Sequence, residues 1–320
     1  MGYLTDSHCH FHPELTRHEL DKFIDILNNG HTFKEKSLHL MTTQHIDLQY
    51  IDILLTNLMD AKFIIVPYFG IHPWFSHLFT LHHIDKQDHY RNVLKPQPNK
   101  ELLEKLPEPI LLDDHVAKIK QIIAKHELDV FGFGEIGLDK LFKIPNNGYL
   151  GNLNYLNDLN DGSSKLLSSS KVIISHQIEV MNKFLTLATE FNKPVSLHCV
   201  KAHGPLYDNV IKYKDLTVLL HSYTGSIDQA KIWIKNKSNL YFSLSNWING
   251  EKEELLKQLL EIVKPSQIVT ESDIYIDKLF IQGKNQEYFN HLQGIFDKLN
   301  SYINIDVDQL HKNMLKSIKL

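Results

Sequence analysis

Apolar and polar positions alternate in two rhythms along this chain of 320 residues. Short apolar runs, many of them closing on a polar or ionisable residue, read as strands. They fall at Tyr3–His8, Ser37–Thr42, Phe63–Phe69 and Val130–Glu135, then at Val195–His198, Val218–His221, Tyr241–Leu244 and Ile268–Glu271. Between them apolar residues recur at helical spacing. Ile46, Ile53, Leu54 and Leu58 do so before the third run. Over 172–191, Ile173, Ile174, Val180, Met181, Phe184, Leu187, Ala188 and Phe191 form an amphipathic stripe that Asn192-Lys193-Pro194 stops. Ile227–Ile234 and Glu251–Val263 repeat the pattern, and all these helices read as core-facing, with no cofactor role. Eight strands alternating with helices predict an α/β fold, a (β/α)8 barrel.

Two stretches break the rhythm. Residues 76–109 are His-rich and then carry Lys95-Pro96-Gln97-Pro98 and Pro107-Glu108-Pro109; residues 143–170 are rich in Asn, Gly and Ser. Both read as long, partly mobile loops after strands three and four, as lids on the catalytic face or as surface insertions. Residues 1–320 then form a single domain, since a barrel of this type uses about 250 residues.

Composition narrows the setting. A hydrophobic content of 42% allows a large core, and the net charge of -4 supplies no overall basic field for nucleic acid. Attraction to a phosphodiester would then be local and come largely from metal ions. No apolar run is long enough to cross a membrane and no leader is recognisable, so a cytoplasmic or nuclear protein is expected. The two cysteines, Cys9 and Cys199, build no disulfide framework. Of the 20 histidines, His77, His82, His83 and His89 read as solvated loop residues.

The chemistry lies where the strands end. His8 and His10 form a His-x-His pair; Glu135, His198, His221 and Asp273 follow in that order. Strand alternation sends Asp6, His8 and His10 into the barrel mouth together, with Asp6 placed to orient an imidazole, and turns Ser7 and Cys9 away. His12 repeats the spacing as a decoy. Glycines beside Glu135 allow close backbone approach, and its carboxylate can bridge two ions about 3.5–4 Å apart. Pairing of Glu135 with a barrel Lys or Arg is the plain alternative. His198 and His221 are polar tips on adjacent apolar strands in one register. Asp273 faces back toward the first strand, where it can hold an ion and accept a proton from bound water, with Glu271 as a competitor. Imidazole and carboxylate without thiolate suit Zn2+, Mn2+ or a similar ion, and Mg2+ where carboxylates dominate.

These motifs resemble the TatD family of metal-dependent deoxyribonucleases, within the amidohydrolase-like TIM-barrel superfamily. Its Asp-x-His-x-His is similar to Asp6–His10, Gly-Ile-His-Pro to Gly70–Pro73, and Gly-Glu-Ile-Gly-Leu-Asp to Gly134–Asp139. Pro-Val-x-x-His matches Pro194–His198, His-x-x-x-Gly matches His221–Gly225, and Glu-Thr-Asp becomes Glu271-Ser272-Asp273. The resemblance implies one ion on His8, His10, Glu135 and Asp273 and a second on Glu135, His198 and His221, with Glu135 and Asp273 catalytic. It places His72 and His203 near substrate. It also implies two divalent ions (Mg2+, Mn2+ or Zn2+) and hydrolysis of DNA by a metal-activated water, often as a 3′-to-5′ exonuclease on single strands or 3′ ends. Trp74, Phe75, Tyr223 and Trp247 follow strand ends, where they can stack on bases or serve as buried loop anchors.

The chain departs from the pattern in two places. Glu-Ser-Asp-Ile-Tyr replaces Glu-Thr-Asp-Ser/Ala-Pro, and the basic stretch shrinks to Gly283-Lys284-Asn285-Gln286-Glu287-Tyr288. The reduced basic stretch and the net charge of -4 leave hydrolysis of a small ester or amide at the same centre in view, and the two long insertions leave a catalytically weak barrel serving as a protein-interaction scaffold.

Overall fold

The computed structural model describes residues 4–29, 37–59, 64–151 and 167–320. Eight parallel strands follow one another around a barrel: β1 Asp6–His10, β2 Ser37–Met41, β3 Ile64–Tyr68, β4 Phe133–Asp139, β5 Val195–Val200, β6 Val218–His221, β7 Leu240–Ser245 and β8 Ile268–Glu271. Ladders join β1 to β3 in one arc and β4 to β8 in another. Backbone bonds close both seams. Phe69 N donates to Gly132 O (3.0 Å) and Gly134 N to Phe69 O (3.1 Å); across the other seam Asp273 N donates to His8 O (2.9 Å) and His10 N to Ile274 O (2.9 Å). A closed ring leaves no edge strand and brings the first and last strands side by side.

The period-two alternation explains the packing. Leu38 and Leu40, Val195 and Leu197, Val218 and Leu220, and Phe242 and Leu244 point outward into the layer shared with the helices. Each such side chain contributes about 1.5–3 kcal/mol by leaving water. Helices Asp47–Asn57, Ile174–Glu190, Ile227–Asn236 and Glu253–Leu260 occupy the segments predicted for them. Among the described residues no helix is long and apolar enough to cross a membrane.

Two strands are displaced from their predicted positions. β1 begins at Asp6 and continues through His10; Tyr3 lies outside the described residues. β4 begins at Phe133 and continues to Asp139, so Glu135 sits inside the strand and not at its end. The ladder from Ile136↔Leu197 to Asp139↔Val200 decides this, a long-range pairing that a local apolar run does not report.

The register of β1 against β2 slips between Asp6 and Cys9, which reverses the expected direction of Asp6. Among the described residues its side chain joins neither the rings of His8 and His10 nor any other imidazole. It accepts hydrogen bonds from Ser272 Oγ (2.6 Å), Ser272 N (2.9 Å) and His8 N (3.1 Å), tying β1 to the end of β8. Burial raises its carboxyl to about 7 against the lowering effect of those bonds. Asp6→Ala leaves Ser272 without its partner. We expect it to cost about 1–3 kcal/mol in chemical denaturation; an unchanged midpoint would contradict this role.

The two interruptions are built structure in every part that is described. Residues 73–111 hold a 3-10 turn, Pro73–Leu78, and helices Lys86–Val93 and Lys100–Lys105, the last two capped by the Asp85 and Asn99 side chains. Tyr90, Val93, Leu94, Leu102 and Leu106 form a satellite core with Ile144 and Val172, so both interruptions share one cluster. Residues 152–166 of the second lie outside the described residues. His82 and His83 are exposed as expected, whereas His77 and His89 are buried. His77 Nε2 donates to Gly148 O (2.9 Å) and His89 Nε2 to His77 O (2.8 Å). Burial holds both rings neutral, at about 3 and about 4. They act as buried donors, stitching the insertion together through carbonyls.

Candidate metal centre

Glu135 is the hub. It is 2% exposed and stands among imidazoles delivered by β1, β5, β6 and the segment after β3. Oε2 lies 3.3 Å from His8 Nε2 and 3.2 Å from His10 Nε2. Oε1 lies 2.8 Å from His198 Nδ1, 3.4 Å from His72 Nε2 and 3.6 Å from His221 Nε2. One carboxylate thus turns its two oxygens to two sets of rings. Asp273, two residues beyond β8 and in left-handed backbone (φ 54°), brings Oδ1 to 3.5 Å from His10 Nε2 and 3.7 Å from His221 Nε2.

Close backbone approach makes this convergence possible. A Cβ at Gly70 would meet Gly134 C at 2.5 Å, and one at Gly137 (φ 152°) would strike the His198 carbonyl. The glycines near Glu135 therefore serve strand-to-strand contact.

The donor set fits divalent cations. Ligand atoms lie within 4.8 Å of one another in three groups: His8, Glu135 and His221; His8, His10 and Asp273; His72, Glu135 and His198. His8 Nε2 and His10 Nε2 face each other at 3.0 Å, and a single shared proton is the most that gap can hold. Among the described residues no Lys or Arg pairs with Glu135, so the plain alternative of a structural ion pair is not realised. Buried, convergent imidazole and carboxylate without thiolate has the chemistry of a metal-ion site.

The electrostatics agree with that chemistry. Burial lowers the His198 ring, but hydrogen bonds with Asp139 and Glu135 outweigh it and leave the ring at about 9. His221 rises to about 10, because Glu271, Asp273 and Glu135 overcome the same burial effect. Burial raises Glu135, yet the rings of His72, His221 and His8 hold it well below the ordinary range. The carboxylates that favour a proton on these rings equally favour a cation in its place, so metal and proton compete for the same nitrogens.

Residues 5–319 match the family described as TatD related DNase. The chain belongs to the TatD family. It is accordingly a hydrolase acting on ester bonds. An uncharacterised deoxyribonuclease of Saccharomyces cerevisiae is 36% identical over 220 residues, 65% of this chain and 66% of that protein. The Cut9-interacting protein scn1 of Schizosaccharomyces pombe is 28% identical over 334 residues, 89% of this chain and 92% of that protein. The crystal structure of a TatD homologue from Escherichia coli covers 99% of this chain and 98% of its own, at a TM-score of 0.58 and 16% identity, and bears out the barrel fold.

On the TatD barrel the sequence-predicted residues divide. His8, His10, Glu135, His198, His221 and Asp273 converge. His72, expected to face substrate, stands inside the ligand cluster, 5% exposed. His221 groups with His8 as well as with Glu135, between the two expected sets. His203 lies outside the cluster, half-buried and edge-on to Tyr223 at 5.6 Å. His12 also stays outside, its Nδ1 accepting from Glu14 N (3.2 Å).

Three further residues hold the rings in place. Glu271 does not compete with Asp273. It sits behind His221, with Oε1 2.9 Å from His221 Nδ1 and accepting from Ser222 Oγ (2.5 Å) and Ser222 N (3.0 Å). Asp139 Oδ2 stands 3.4 Å from His198 Nε2 and accepts from Trp74 Nε1 (2.8 Å). Ser196 Oγ lies 2.8 Å from His8 Nδ1. Their signal was period two: Asp139 is four residues from Glu135 and Ser196 two from His198. Groups behind a metal-binding ring usually tune affinity by about 10- to 100-fold. Glu271→Gln should therefore weaken metal binding by that factor at unchanged fold, read by metal titration; unaltered affinity would show Glu271 to be merely structural.

Above the ligands opens a cavity of about 390 Å³, flanked by Trp74, Trp247 and Tyr275. Phe75 and Tyr223 are buried anchors, 2% and 3% exposed. Trp74 is half-buried and stacks on Phe142 at 4.6 Å, whereas Trp247 is 55% exposed.

Proposed function

We propose that this protein hydrolyses DNA phosphodiester bonds at a centre whose residues would hold two divalent ions, with Glu135 belonging to both ligand sets. Its preferred substrates are single strands or 3′ ends, processed 3′ to 5′ in the cytoplasm or nucleus by residues 1–320 acting as one domain. The observation carrying this reading is the split of one buried carboxylate, His8 and His10 on one oxygen and His72, His198 and His221 on the other. His8, His10, Glu135 and Asp273 would hold one ion, and Glu135, His198 and His221 the other, with His72 alongside. Bound ions of this type acidify water and offset the charge of the phosphate.

The chain's own groups do the rest. Asp273 Oδ1 faces His10 and His221 at the floor of the cavity, placed to take the proton from the attacking water. Glu271, Asp139 and Ser196 keep the imidazoles oriented. Trp74, Trp247 and Tyr275 flank the space the phosphate would enter.

A small ester or amide is the second reading, favoured by the 390 Å³ size of the cavity and the net charge of -4. The name of the fission yeast relative raises a protein partner as a third, additional role. Digestion of end-labelled single- and double-stranded DNA with Mg2+ or Mn2+ separates these readings. A metal-dependent product ladder shortened from the 3′ end, lost in Asp273→Asn, supports the nuclease. Inert DNA beside turnover of a small ester would replace it with the second reading.

A further inference from the structure

We infer that the polynucleotide flanking the cleaved bond runs along one basic groove beside Trp247, where Lys201 and Lys252 hold phosphates and the indole stacks a base. The inference rests on the nuclease reading above and adds the path of the strand. A second cavity, of about 800 Å³, adjoins the one over the ligands, and the two share Val200, Trp247 and Ile248 as a common wall. Trp247 therefore stands at the junction between the reacting phosphate and the groove.

The groove has the chemistry of a single-strand track: an accessible aromatic face together with cations spaced along it. Lys201 and Lys252 line it, both exposed, and among the described residues neither forms an ion pair. One carboxylate, the exposed Glu251, shares the groove, so the cations outnumber it. His203 lines the same wall, which gives the residue expected near substrate a place without making it a metal ligand. Trp74, the other tryptophan at the cavity, is committed to Phe142 and to Asp139 and offers no free face comparable to that of Trp247.

The alternative path, past Tyr275, is the less favourable one. Beyond Tyr275, whose ring contacts His12 at 5.0 Å, lies a cavity of about 310 Å³. Glu14 and Glu19 line it against one ammonium, Lys278, whose Nζ is 3.1 Å from His12 Nε2; Asp277 lies buried behind them, its carboxyl raised by burial to about 7. Carboxylates in excess repel a polyanion. Charge thus selects the Trp247 side.

The test is the dependence of kcat/KM on substrate length, from a thymidine dinucleotide to a ten-nucleotide oligothymidylate, with Mn2+ present. Wild type should gain at least about tenfold with length, as expected for one stacked base and two phosphate contacts. Trp247→Ala and the double variant Lys201→Asn with Lys252→Ala should lose most of that gain. Asn is used because Lys201 has left-handed backbone (φ 55°) that it tolerates. Trp247→Phe should retain part of the gain, which separates a lost stacking face from a misfolded loop. In the double variant the salt dependence of the long substrate should also weaken, by a slope of about 0.7 for each lost contact. A gain with length that survives in both variants, or that wild type lacks, overturns the groove while leaving the nuclease standing. Wild type that cleaves neither substrate overturns the nuclease reading, and the groove with it.

Discussion

Glu135→Gln is expected to lower kcat/KM for DNA by more than about a hundredfold while the protein stays folded. Outer partners of metal ligands already account for roughly 10- to 100-fold, and Glu135 stands closer to the chemistry than any of them. The change keeps the shape of the side chain and removes the one charge that faces His8, His10, His72, His198 and His221 together. The remaining carboxylates do not replace it: Asp273 reaches His10 and His221, Glu271 reaches His221 and Asp139 reaches His198. Steady-state kinetics beside circular dichroism read the result. Activity within tenfold of wild type would show that the hub carries no ion.

Removing metal should have the second largest effect, with a characteristic pH dependence. In the ion-free protein His198 and His221 sit at about 9 and about 10, above their ordinary value of 6.5. A raised folded value means that the folded state binds extra protons. The stability this adds is fully present below pH 6.5 and is lost as pH rises through 9 and 10. Metal binding requires the opposite, deprotonated rings, and therefore strengthens with pH. Mn2+ added to chelator-treated protein should accordingly raise the Tm more at pH 9 than at pH 6. An ion at a hundred times its Kd contributes about 2.7 kcal/mol. Equal shifts at both pH values, or no shift, would contradict occupation of these imidazoles.

Much of the barrel was legible because strand period and helix period are local. Val218–His221 and Ile268–Glu271 occupy the residues that the apolar runs marked. The ligand order was legible for a related reason: a polar tip on an apolar strand stands out from its neighbours, as His221 does on Val218–Leu220. The failures were long-range. Asp6 points away because β1 slips against β2, a register fault invisible in either strand alone. His77 and His89 look solvated in the sequence because polarity does not disclose that carbonyls of a folded insertion await their rings. In the sequence Glu271 stands as a rival of Asp273. They are two residues apart, but only the turn after β8, with Asp273 in left-handed backbone, sends one to the cavity floor and leaves the other behind His221.

Anomalous diffraction at the manganese edge, on crystals soaked in Mn2+, tests the central claim most directly. Two peaks about 3.5–4 Å apart, one against each oxygen of Glu135, are the predicted result. No peak within bonding distance of Glu135, or density held only by groups remote from it, would contradict the shared carboxylate on which the proposed chemistry depends.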